Sequence, residues 1–298
     1  MPGYSTDPIV VGVDGSDSAS HAARWAAEEA IGRGCELRLV HSVDDISLSI
    51  PRLALRGEHL RSALQLRGHR VLHAARDTVR EVAPELSPHL QLSENGAAAT
   101  LLEQSAVASL VVVGARGLRP AGRILTGSVS LAVATRASCP VAVIRGHAGE
   151  AAPPLEGPVV LGVDAGSSSE EAIAIAFEEA SWRGAPLLAV RCWNDAFLAA
   201  VYEEMRWTLD RPAVEAAERE MLAQSLAGWE VKYPGVTVER QVVRGRPAEA
   251  LAAAGDLARL VVVGSHGPGG VAGMLLGSTS QSVVSSARCP VLVARHRG

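Results

Sequence analysis

Apolar and polar positions along the chain fall into two alternating kinds of segment. Short β-branched runs read as strands, and longer runs with apolar residues three and four apart read as helices. Ile9 to Val13 is the first strand. Asp14 to Ser18 supplies N-cap chemistry, and a helix follows from about Ala19 to Ile31, with Gly32 and Gly34 at its end. Glu36 to Val43 is the second strand, Asp44 to Gly57 a loop, and Glu58 to Val82 a long helix ended by Pro84. Leu86 to Leu92, Leu110 to Val113 and Val141 to Arg145 are strands three, four and five. Ala97 to Ala106 and Gly127 to Arg136 are the helices between them. This alternation predicts parallel βαβ units, an α/β fold with its sheet covered on both faces.

The pattern then repeats. Leu110 to Arg145 returns 150 residues later as Leu260 to Arg295, with 17 of 36 positions identical and no gap. That is a tandem duplication. Val159 to Val163 repeats strand one, Glu170 to Trp182 helix one, and Pro186 to Cys192 strand two. Asn194 to Pro212 reads as a long connection, followed by a helix over Val214 to Tyr233, a strand over Val236 to Val243 and a helix over Pro247 to Ala254. Trp193, Phe197, Tyr202 and Trp207 are expected to pack on their own domain rather than wall a ligand. Gly146 to Pro158 is rich in Pro, Gly and Ala and has no apolar period, so it reads as a linker. The chain is expected to hold one domain over 1–146 and another over 159–298, joined by 147–158.

Composition narrows the function classes. A net charge of −4 lacks the basic footprint of a nucleic-acid binder, and no apolar run approaches a membrane span. No secretory signal is legible at the N-terminus. Cys35, Cys139, Cys192 and Cys289 lie far apart with no Cys-x-x-Cys. They read as free thiols in a reducing compartment, which places the protein in the cytoplasm. His59, His69 and His73 on the long helix have no acidic or third ligand nearby, so a solvated helix face is expected rather than a metal site.

The candidate chemistry sits where strand four empties into a glycine-rich loop. Gly114 and Gly117 precede nine residues and then Gly127-Ser128, at the start of a helix. Gly264, Gly267, Gly277 and Ser278 keep the same spacing. Glycine lets backbone approach a bound group, and free amides with the helix dipole make an anion seat. Ser128 and Ser130 add hydroxyls. Lys232 is the chain's only lysine, so the usual lysine of such loops is missing. Arg116, Arg119 and Arg123 lie in the first loop, while His266 is the second loop's one nitrogenous side chain. Ligands of such sheets lie beyond the carboxyl ends of the strands, at the switch in strand order. If strands one and four are neighbours, Asp14 faces the loop and can hold a ribose or adenine donor.

The Gly-x-x-Gly, nine residues, Gly-Ser spacing, the Val-Asp that ends strand one and the terminal Cys-Pro-Val strand together resemble the universal stress protein family. The two-domain layout is similar to its tandem actinobacterial members. The resemblance covers nearly the whole chain. It implies two Rossmann-like, doubly wound domains, each a five-stranded parallel sheet in the order 3-2-1-4-5. It also implies a regulatory protein of stress or dormancy that binds ATP, with or without Mg²⁺, in each crevice between strands one and four. Position by position, Asp14 and Asp164 look like the ribose or adenine contact, with Ser42 and Cys192 beside the adenine. Val113, Gly114, Gly117, Gly127, Ser128, Val129 and Ser130 look like the first phosphate loop. Val263, Gly264, Gly267, Gly277, Ser278, Thr279 and Ser280 look like the second. Ala165-Gly166 departs from the usual Gly-Ser and puts one hydroxyl contact of the second site in question.

Two other readings stand beside this one. Asp14-Gly15-Ser16-Asp17-Ser18 faintly resembles the loop of ATP pyrophosphatases, but the leading Ser-Gly-Gly is missing and the second half drops the pattern. An interaction module with relic sites would suit the apolar terminal strands, which end the sheet order and ask for a partner. Pairing through those strands, between halves or in a homodimer, is expected.

Overall fold

A computed structural model describes residues 7–43, 57–115, 127–145, 153–164, 168–194, 210–266 and 276–295. The chain divides into two compact units, with the break between Pro153 and Pro154. In the first, the order along the chain is β1 (Ile9–Gly12), α1 (Asp17–Arg33), β2 (Leu37–Ser42), α2 (Gly57–Val82), β3 (His89–Ser93), α3 (Ala97–Ser105), β4 (Leu110–Gly114), α4 (Ser128–Arg136) and β5 (Val141–Ile144). The second runs β6 (Val159–Val163), α5 (Ser168–Arg183), β7 (Leu187–Trp193), α6 (Arg211–Lys232), β8 (Val238–Arg244), α7 (Pro247–Gly255), β9 (Leu260–Gly264), α8 (Ser278–Ser286) and β10 (Val291–Ala294). Each unit is an α/β fold on a five-stranded parallel sheet, ordered β3-β2-β1-β4-β5 in the first and β8-β7-β6-β9-β10 in the second. The order inferred from the resemblance is the order observed.

Ile9, Val10 and Val11 of β1 and Leu110, Val111 and Val112 of β4 are fully buried, as central strands covered on both faces require. Ser16 caps α1 by accepting a bond from the Ala19 N–H at 3.2 Å, so the helix starts two residues before the sequence expectation. It also runs through Gly32. Gly34, at φ +65°, is the residue that ends it, and its N–H is shared between the Ala30 and Ile31 carbonyls. Each unit buries one fully enclosed glutamate on its first helix, paired with an arginine one turn on: Glu29 with Arg33 at 2.9 Å, and Glu179 with Arg183.

Two strand starts and further helix starts also differ from expectation; α5 begins at Ser168, two residues early. Leu86 and Val236 are turn residues after the long helices, their N–H groups donated to the Ala83 and Tyr233 carbonyls. β3 therefore begins at His89 and β8 at Val238. α6 begins inside the stretch read as a connection, because Asp210 caps the Ala213 N–H at 3.1 Å and Pro212 sits in the first turn, where no N–H is needed. Phe197, Tyr202 and Trp207 lie outside the described residues. His59, His69 and His73 are all exposed on α2.

Candidate functional site

In each unit the switch in strand order falls between the first and fourth strands, β1 and β4 or β6 and β9. β4 ends at Gly114, and the chain re-enters at Gly127, which opens α4. The neck of this loop is held by two bonds. The Gly127 N–H donates to the Ala115 carbonyl at 2.7 Å, and the Ser130 hydroxyl donates to the Gly114 carbonyl at 2.6 Å. The second unit repeats both: Gly277 N–H to the Ser265 carbonyl at 2.7 Å, and Ser280 hydroxyl to the Gly264 carbonyl at 2.6 Å. Ser130 and Ser280 are buried. Their donors are committed to backbone, so the sequence expectation of a hydroxyl donor for phosphate does not fit these two residues as they stand.

What the helix starts do offer is bare backbone. Gly127 (φ −60°, ψ 151°) and Gly277 (φ −65°, ψ 149°) are the N-cap residues, and neither helix has a side-chain cap. These dihedrals suit any residue, so glycine is not there for a left-handed turn. Glycine is an ordinary N-cap, but Ser, Thr, Asp or Asn would add a side-chain acceptor for the first-turn amides. The first helical bonds are Leu131 N–H to Gly127 O at 3.0 Å and Gln281 N–H to Gly277 O at 2.9 Å. The first-turn amides, Ser128, Val129 and Ser130 or Ser278, Thr279 and Ser280, thus precede any intrahelical donor. Ser128 and Ser278 are exposed, and Val129 and Thr279 half-buried. Gly117, Gly267, Arg116, Arg119 and Arg123 lie outside the described residues.

Gly114 has a second reason to be glycine. A Cβ there would stand 2.6 Å from the Ser18 hydroxyl oxygen and 2.7 Å from the Ser18 carbonyl carbon and oxygen. The end of β4, with Val113 buried just before it, packs directly on the first turn of α1. In the second unit Val263 is likewise buried before Gly264.

Both aspartates stand one residue past Val13 and Val163, at the carboxyl ends of the first strands, and each is fixed differently. Asp14 Oδ1 accepts the Ser16 N–H at 2.9 Å across Gly15, whose φ is +86°. Asp164 Oδ1 instead accepts the Ser169 hydroxyl at 2.5 Å, and the Asp164 N–H reaches the Ser169 oxygen at 3.2 Å. Ser169 is buried and replaces Ala19 of the first unit. It supplies a hydroxyl near the position where Gly166 stands in place of Ser16.

The second strands end differently again. In the first unit the His41 ring nitrogen Nδ1 lies 2.7 Å from the Val13 carbonyl. Room for the ring comes from Gly68, where a Cβ would stand 3.0 Å from His41 Cδ2 and 2.5 Å from Leu92 Cδ1. The matching pair in the second unit is Arg191 and Glu218, a largely buried ion pair. Ser42 donates its hydroxyl to the Asn95 carbonyl. Cys192 takes its place in the second unit, and burial pushes that thiol's pKa up. The four cysteines are unbridged. Among the described residues no group of three His, Cys, Asp or Glu could hold a metal ion. No helix among them is long and apolar enough to cross a membrane.

Fold and crevice define a tandem, doubly wound α/β protein with one uncapped helix start per unit at the strand switch. The universal stress protein family model matches residues 5–145 and 157–295, and the chain belongs to that family. It is 39% identical over 303 residues to universal stress protein Rv2623 of Mycobacterium tuberculosis, covering 98% of each chain. It is 40% identical over 290 residues to universal stress protein Rv2005c of the same organism, covering 96% of each. Among solved structures, a universal stress protein from Archaeoglobus fulgidus shares the fold at a TM-score of 0.69 and 19% identity, over 98% of this chain and 97% of that one.

Proposed function

We propose that the protein is a regulatory ATP-binding protein of the stress or dormancy response, with one nucleotide site per unit. The observation that carries this reading is the bare N-cap. Both units place glycine at this N-cap, so no side chain takes the first-turn amides, and both do so at the strand switch where ligands of this fold lie. A phosphate seated there satisfies the first-turn amides and the positive end of the helix dipole. Asp14 and Asp164, at the ends of β1 and β6, hold the ribose. Ser42 and Cys192 lie toward the base. The glycines and first-turn residues of each loop, including Gly117 and Gly267, receive the phosphates, with Mg²⁺ where the triphosphate brings it. Free thiols suit a cytoplasmic protein, and the terminal strands β5 and β10 mediate pairing, including a homodimer.

The test is nucleotide content. Protein purified without added ligand, then denatured, should release adenine nucleotide, and the emptied protein should take up two ATP per chain in calorimetry. An emptied, folded chain that takes up no ATP at millimolar concentration would contradict the reading.

A further inference from the structure

The seat for phosphate and the place for the base lie at opposite ends of the crevice. Neighbouring strands are about 4.8 Å apart, so the end of β2 stands two strand spacings, roughly 10 Å, from the end of β4, with Asp14 between them. That span matches a nucleotide lying across β1 with its base over β2. At the phosphate end the two bonds of the neck are the same in both units. The base end differs.

In the first unit it is a closed hydroxyl network. The Ser42 hydroxyl donates to the Asn95 carbonyl. Thr100 Oγ1 donates to the same carbonyl at 3.4 Å, Ser93 and Thr100 hydroxyls bond at 2.8 Å, and the Asn95 N–H donates to Ser93 Oγ at 3.2 Å. In the second unit Cys192, Val243, Gly245 and Ala250 stand at the positions of Ser42, Ser93, Asn95 and Thr100. None of the four carries a hydroxyl. The Gly245 N–H is spent on the Trp193 carbonyl at 2.9 Å.

A serine hydroxyl has one proton to give and two lone pairs. With its proton committed to Asn95, Ser42 Oγ faces a ligand as an acceptor only. An acceptor pairs with an exocyclic amine, as on adenine, and repels an exocyclic carbonyl, as on hypoxanthine or guanine. Resting on the nucleotide-binding reading above, we propose that Ser42 makes the first site selective for 6-amino over 6-oxo purine nucleotides. The second site, with a weakly bonding thiol at that position, takes both.

Discrimination at a site that hydrogen-bonds one substituent exceeds what apolar packing gives. For a half-exposed hydroxyl it should be roughly tenfold or more, as expected for one lost and one unpaired hydrogen bond. The experiment is calorimetry of the full chain with ATP and with inosine triphosphate, which differ at purine position 6. Wild type should bind two ATP, but one inosine triphosphate tightly and a second at least tenfold more weakly. In a Gly277→Asp background, which isolates the first site, the ATP preference should remain at least tenfold. Ser42→Ala in that background should bring it toward unity, and Ser42→Cys, the residue the second unit already carries, should do the same. Two equal inosine triphosphate sites in wild type, or a preference unchanged in a folded Ser42 variant, would overturn this inference and leave two-site ATP binding standing. Absence of ATP binding would overturn both.

Discussion

At the neck of the glycine loop the two units agree to within 0.1 Å: Gly127 and Gly277 each donate at 2.7 Å, and Ser130 and Ser280 each donate at 2.6 Å. Two strands away almost nothing is shared. His41 and Gly68 face Arg191 and Glu218, and Ser42, Ser93, Asn95 and Thr100 face Cys192, Val243, Gly245 and Ala250. The helical layer diverges as well. Phe177, Trp229 and Tyr233 stack with centroids 5.8 to 6.3 Å apart in the second unit, where the first has Ala27, Val79 and Ala83. The neck is held by backbone and one serine, and the two units keep it alike. The residues two strands away act through side chains, and there each unit has its own set.

Breaking the shared part should cost most. Gly114→Ala drives a Cβ into Ser18 backbone at 2.7 Å, which a side-chain rotation cannot relieve. The expected loss is about 3 kcal/mol, the upper end for overpacking, read as an earlier transition in urea unfolding followed by a first-unit probe such as Trp25. Cutting the second unit's own solution should cost less. Glu218→Ala leaves the Arg191 side chain, 9% exposed, without its carboxylate. Breaking a buried pair costs 3–5 kcal/mol, and because the Glu218 side chain is 18% exposed about 2 kcal/mol is expected here. The double change Arg191→His, Glu218→Gly imports the first unit's arrangement and should recover part of that loss in a double-mutant cycle.

A smaller effect tests equality. A Cβ on Gly12 or Gly162 would meet Leu101 Cδ1 at 2.8 Å or Leu251 Cδ1 at 2.9 Å. Both contacts are with the far end of a flexible side chain, so Gly12→Ala and Gly162→Ala should each cost about 1 kcal/mol. Costs that differ severalfold would show the first strands to be packed less alike than the loops. The smallest effect appears only in alkali. Burial, then the Glu178 carboxylate, push the Tyr233 hydroxyl up to about 12. An unfolded tyrosine ionises near pH 10, so between those values the unfolded chain loses its proton first and stability falls as pH rises. Below pH of about 10 the contribution is whole. Tyr233→Phe should flatten the alkaline slope of the second unit; the first has Ala83 at that position.

The features legible in the sequence were those written in local pattern. Strand-helix alternation and the 150-residue offset predict the tandem α/β units, and the strand order follows from the family resemblance. Strand starts after the long helices were misplaced because Leu86 and Val236 are apolar, yet spend their N–H groups closing a turn. Pro212 hid the start of α6, since proline reads as a breaker unless its place in the first turn is known. The bonding around Ser42 is not legible for a different reason. The resemblance marks the residue, but its partner is a backbone carbonyl 53 residues on. His41 and Gly68, or Asp164 and Ser169, make sense only as pairs, and a pair is visible only when both halves are laid side by side.

The central claim is that each unit seats one nucleotide on its uncapped helix start. Native mass spectrometry of the full chain titrated with ATP tests it most directly, on wild type and on Gly127→Asp, Gly277→Asp and the double variant. Aspartate is a good N-cap, so it keeps the helix while its own carboxylate fills the anion seat. Two bound ATP in wild type, one in each single variant and none in the double variant are predicted, with affinity at the altered site down at least a hundredfold. Two ATP still bound by the folded double variant would contradict it.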